Sequence, residues 1–112
     1  MYIVKCTYHN EDGTTYRGNG IDCAGKQGAK ETIEYLQSRH DVSDISMHMY
    51  YRPGKNNDAF NAQLTDLEKE YNMIESKWNG DYLVTYYSNE TENVEYWENM
   101  ELGIPSEIIF KY

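Results

Sequence analysis

At 112 residues, 39% hydrophobic and 26% charged, the chain is long enough for one modest core and too short for several domains. A formal net charge of −9 argues against direct binding to nucleic acid or to an anionic membrane, and no apolar stretch approaches the roughly 20 residues that cross a bilayer. The charged N-terminal "MYIVKCTYHNED" lacks the apolar centre of a signal peptide, so the protein is expected in the cytosol, with Cys6 and Cys23 as free thiols.

"YIVKCTY" alternates, placing Tyr2, Val4, Cys6 and Tyr8 on one face of a strand. Asp12-Gly13 supplies a turn, and "TTYRG" returns as the second arm of a hairpin. A helix is expected from about Ala24 to Arg39, capped by Asp22 or Cys23, with Ala29, Ile33 and Leu36 on its buried face. The connection "GIDCAGKQ" nearly spells a phosphate-binding loop. The residue after Gly25-Lys26 is Gln27, where the motif needs a hydroxyl for magnesium, and an antiparallel hairpin precedes it, so a plain strand-to-helix connection is expected.

"VSDISMHMYYR" reads as the middle strand, with Ile45, Met47, Met49 and Tyr51 together and His48 on the opposite, surface face. After the turn residues of "PGKNND", the residues Phe60, Leu64, Leu67, Tyr71, Ile74 and Trp78 recur at spacings of four, three, four, three and four. That spacing predicts one helix of roughly 28 Å, capped by Asn57 or Asp58 and ended by Asn79-Gly80. The stripe fits the cover of a sheet; a homodimer through the same six residues is the second option, with a monomer favoured. Glu75-Ser76-Lys77 has a nuclease-like spacing but falls in the predicted last turn of this helix, where a solvated helix end is expected.

"DYLVTYYS" is another strand, with Tyr82, Val84 and Tyr86 on one face. Residues 89 to 102 allow two readings. Shifting the N-terminus by 80 residues aligns Tyr2 with Tyr82, Val4 with Val84, Tyr16 with Tyr96 and Asn19 with Asn99, which favours a second hairpin returning over Val94 to Glu98. Against it, Asn89 and Glu92 form a capping box, with Gly103 at the exit and Pro105 beyond, which favours a helix. "IPSEIIFKY" closes the chain as a short strand or helical turn docking Ile108, Ile109 and Phe110. The expectation is a single α+β domain over residues 1–112: an antiparallel sheet of two hairpins plus a middle strand, packed with two helices in the order β-β-α-β-α-β-β.

The charge is uneven. Residues 1 to 57 carry seven acids and seven bases, whereas residues 58 to 112 carry 12 acids and three lysines. The acids of the second half are interleaved with aromatics, and aromatic anchors ringed by carboxylates suit a basic protein partner. The expected contact surface is Glu90, Glu92, Glu95, Trp97, Glu98 and Glu101, with Asp81 and Tyr87 beside it. No histidine pair, cysteine pair or activated nucleophile has a working spacing, so neither a metal, a cofactor nor an enzymatic activity is expected. In size, charge and Asn/Tyr/Glu-rich composition the chain resembles the small acidic inhibitors of phages and mobile elements, anti-CRISPR and anti-restriction proteins among them. That resemblance implies a DNA-mimic-like block of a basic cleft on a nucleic-acid-binding protein; an immunity or accessory protein that binds a toxin or host enzyme without mimicry is the alternative.

Overall fold

The computed structural model describes residues 1–112. Its elements are β1 (Tyr2–His9), β2 (Thr15–Arg17), β3 (Ile21–Cys23), α1 (Lys26–Ser38), β4 (Val42–Tyr50), α2 (Asp58–Glu70), β5 (Asn72–Asn79), β6 (Tyr82–Ser88), β7 (Asn93–Asn99) and β8 (Ile104–Lys111). The expected α+β class holds, with antiparallel strand pairs and two helices. Three strands join the expected set: β3, β5 and β8, the last taking the strand option for the C-terminal segment. The chain divides into two compact units, Met1–His48 with Lys111–Tyr112, and Met49–Phe110. No helix is long and apolar enough to cross a membrane.

In the first unit β1 pairs antiparallel with β2, β3 and β4. The β1–β2 hairpin forms as its alternation predicts, and Tyr8 stacks on Tyr16 with ring centroids 5.0 Å apart. Val4 and Cys6 point into the core, where Ala29, Ile33 and Leu36 of α1 meet them; Cys23 is buried as well, and both thiols are free. The helix begins later than expected, after Gly25, and neither Asp22 nor Cys23 caps it: Asp22 pairs with Ile3 and Cys23 with Tyr2 in the β1–β3 ladder. Gly20, at φ 104, turns the chain into β3, and a Cβ there would lie 2.6 Å from Ile3 Cγ2. The glycine of the near-phosphate loop thus serves close backbone packing.

His48 corrects a reading. It is 8% exposed, because residues 45 to 49 of β4 are all buried and the strand has no solvent face there. Its Nε2 lies 2.8 Å from Ser46 Oγ, which accepts a hydrogen bond from Arg17. The Arg17 guanidinium also donates to Thr7 Oγ1 and to the carbonyl of Asp44, which sits at φ 51 where the β1–β4 register slips.

In the second unit β5, β6, β7 and β8 lie side by side in that order. Phe60, Gln63 and Leu67 are the buried positions of α2. The long helical stripe does not exist. Helix α2 stops at Glu70, Tyr71 is extended, and Ile74 and Trp78 lie on β5, 60% and 66% exposed. A spacing of four, as between Ile74 and Trp78, is even and therefore suits a strand equally well. Asn79-Gly80 decides between them: Gly80, at φ 60, and Asp81 form a two-residue hairpin turn between β5 and β6 instead of a helix exit. Homodimerisation through a single helical face of Phe60, Leu64, Leu67, Tyr71, Ile74 and Trp78 is thereby overturned. Asn57 precedes α2 without a capping bond from its side chain; that amide ties the loop by bonding Arg52 N, Arg52 O and Lys55 O.

Residues 89 to 102 form the hairpin arm, with β7 paired along its whole length to β6. The signals that resemble helix boundaries act in turns. Asn89 Oδ1 accepts the N–H groups of Thr91 and Glu92 in the β6–β7 loop, and Asn99 Oδ1 accepts Leu102 N–H before Gly103 at φ 69. The internal echo found the hairpin but not its register. It would set Tyr96 opposite Ser88, as Tyr16 sits opposite Tyr8, whereas Tyr96 pairs with Thr85.

Candidate functional site: the acidic end of the second unit

Twelve acids and four bases fall within Met49–Phe110, against seven acids and six bases in the first unit. The surplus sits as expected; its arrangement does not. Strand alternation sends the predicted contact residues to different places. Glu95 lies opposite Tyr86 and Trp97 opposite Val84, which puts both on the face that carries Tyr82; Glu98, opposite Leu83, lies on the other face with Tyr87 and Tyr96. Asp81 and Glu101 are exposed in turns at one end of the strands, where Asp81 O accepts Met100 N–H. Glu90 and Glu92 lie in the β6–β7 loop at the other end. The eight residues therefore form no single row.

Their burial differs as much as their direction. Glu95 is 9% exposed and accepts the indole N–H of Trp97 at 3.1 Å, while Trp97 sits edge-on to Tyr82. Glu92 is half-buried and accepts the hydroxyl of Tyr71. Burial, and then Glu92, push the Tyr71 hydroxyl well above its ordinary range. Glu98 is half-buried near two tyrosines: burial first, then the Glu98 charge, raise Tyr96 to about 12, and burial, Glu68 and Glu98 raise Tyr87.

One group does come together. The end of α2 meets the β6–β7 loop through the Tyr71–Glu92 hydrogen bond, and an open cleft there is lined by Glu70, Asn72, Ser88, Asn89, Glu90 and Thr91. Glu68 stands within electrostatic reach of Tyr87, and Glu70 of Tyr71. Glu68, Glu70 and Glu90 are exposed and Glu92 half-buried, so four carboxylates share this end of the unit. Glu68 and Glu70 escape sequence reading because they stand at an ordinary helix end with Lys69 between them; only the fold of a segment 20 residues away brings Glu90 alongside.

The Glu75-Ser76-Lys77 triplet is not at a helix end but on the exposed strand β5, where Lys77 Nζ lies 3.2 Å from Glu75 Oε1. No three His, Cys, Asp or Glu side chains lie close enough together to hold a metal ion. The chain matches no protein-family model, and neither curated protein sequences nor solved structures yield a match.

Proposed function

We propose that this chain is a non-enzymatic, cytosolic binding protein whose acidic second unit docks on a basic surface of a nucleic-acid-handling protein and blocks it. The supporting observation is the gathering of Glu68, Glu70, Glu90 and Glu92 around the α2–loop junction, in a unit with eight more acids than bases. The proposed contact centres on this end, with Asn72 and Asn89 as neutral neighbours. Charge of one sign concentrated on one end steers a basic partner and makes association fast and salt-sensitive.

The blocking mode is occupation of the basic surface rather than imitation of a phosphate ladder. Duplex DNA presents about one charge per 1.7 Å along a continuous line, whereas Glu95 and Glu98 leave β7 on opposite faces. The same observation favours the second reading, an immunity or accessory protein that recognises a toxin or host enzyme away from any nucleic-acid groove.

The test begins with capture from a bacterial lysate on immobilised chain, eluted with rising salt. The variant E68K/E70K/E90K changes three exposed side chains and should lose the captured partner while keeping its thermal transition. An oligonucleotide should then compete with the chain for the purified partner. Undiminished capture by the triple variant overturns the surface; simultaneous binding of oligonucleotide and chain overturns the block and leaves the immunity-type reading.

A further inference from the structure

Strand β5 stands at the end of the sheet order and pairs with β6 alone, so its outer edge has no strand beside it. All eight of its residues are exposed, among them Met73 at 65%, Ile74 at 60% and Trp78 at 66%. Unpaired strand edges carry free N–H and C=O groups and are ordinarily kept short or made repulsive. This edge is eight residues long and holds three large apolar side chains, the usual mark of a surface that something covers. Its charged residues, Glu75 and Lys77, are of opposite sign and two positions apart, so they lie on the same face of the strand.

The occupant can be chosen by register. When two copies of one strand pair antiparallel in a continuous sheet, the two-fold axis keeps every side chain on its own face, and the register centres on a residue. Centring on Glu75 or on Lys77 sets a like charge against itself. Centring on Ile74 puts the axis on the β-bulge that shifts the β5–β6 register between Met73 and Glu75. Centring on Ser76 sets Glu75 opposite Lys77 of the second copy, twice by symmetry, on the regular stretch of β5 between the bulge and the Gly80 turn. Charges that would repel a like-charged foreign strand thus complement this strand's own copy.

We propose that a second copy of this chain pairs antiparallel with β5 about Ser76, joining two sheets into one across a two-fold axis. The helical-stripe dimer overturned above plays no part in it, and the acidic end need not bind anything for it to hold. Light scattering on the full chain at roughly 100 μM, a concentration at which even a modest affinity fills the dimer, should give a dimer. Glu75→Lys sets lysine against lysine, and Lys77→Glu sets glutamate against glutamate, each in two symmetric pairs. Either change alone should weaken dimerisation by about tenfold or more.

Mixing the two variants restores opposite charges at both pairs, and the mixture should recover a one-to-one dimer. Ser76→Cys should give a disulfide-linked dimer on mild oxidation, because opposed residues in an antiparallel pair have Cα atoms about 4.5–5.5 Å apart, within disulfide reach. A wild-type monomer at that concentration overturns the proposal, as does a dimer indifferent to both reversals. If mixing does not restore the dimer, or the cysteine variant does not cross-link, the Ser76 register is overturned.

Discussion

The two units treat their carboxylates differently. In the first, Asp41 is joined by the Arg39 guanidinium through two hydrogen bonds, and Asp12 accepts both the N–H and the hydroxyl of Thr14 in the hairpin turn. Acids and bases there nearly balance. In the second, Glu75 lies against Lys77, while Glu92 accepts a hydrogen bond from a tyrosine hydroxyl and Glu95 one from an indole N–H. A neutral donor leaves a carboxylate's charge in place, and with twelve acids to four bases the second unit carries a net negative charge whichever ion pairs form within it. The tyrosines and tryptophan interleaved with those acids therefore have a structural use apart from any interface.

The sharpest break in this comparison lies inside the acidic unit itself. Glu95→Lys and Glu90→Lys make the same change in charge. Glu95 is buried and bonded to Trp97, whereas Glu90 is exposed at a loop tip. A cation forced into the Glu95 site should cost about 3–5 kcal/mol, whereas Glu90→Lys should stay within about 0.5 kcal/mol. Urea denaturation of the two variants measures the difference. Equal effects would show that Glu95 is no more a part of the core than Glu90.

Next in size is the contact between Tyr71 and Glu92. Removing the hydroxyl with Tyr71→Phe takes away a hydrogen bond to a charged group, worth about 1.5–3 kcal/mol. It should also change the alkaline limb of stability. Tyr71 and Tyr96 ionise above the ordinary tyrosine range in the folded unit, so between pH of about 10 and the folded values the unfolded chain gives up its protons first. Stability present below about pH 10 is therefore lost as pH rises through that window. Tyr71→Phe should lose less stability over it than the wild type, read as the thermal midpoint against pH together with tyrosinate absorbance.

Much of this fold was legible because its signals are local. Asp12-Gly13 between two alternating segments gave the first hairpin, and Ala29, Ile33 and Leu36 marked the buried face of α1. Two stretches carried signals that serve two structures. Ile74 and Trp78 suit a helix or a strand, and Asn89 with Glu92 suits a helix cap or a hairpin loop; in each case pairing with β6 decided. His48 was misplaced because alternation describes a strand with one wet face, and β4 has none over residues 45 to 49. The acidic end was only half legible. The surplus of charge could be counted, but the meeting of Glu70 with Glu90 depends on where α2 stops, and α2 stops where β5 begins.

The smallest effect is expected at the ion pair of the first unit, and it runs to the opposite end of the pH scale. The hydrogen bonds from Arg39, with the attraction of its charge, hold the Asp41 carboxyl below its ordinary value in the folded state. As pH falls below about 4 the unfolded chain takes up its proton first, so the stability this pair contributes is present above that value and is lost as pH falls through the folded one. Both side chains keep more than a third of their surface in water, so solvent and salt screen the pair and its loss should be slight. Asp41→Asn should flatten the acid limb while leaving the alkaline limb as it was, and Tyr71→Phe should do the reverse. If Asp41→Asn moved the alkaline limb instead, the contrast between the Arg39–Asp41 ion pair and the Tyr71–Glu92 hydrogen bond would fail, because the same groups would then govern both ends of the scale.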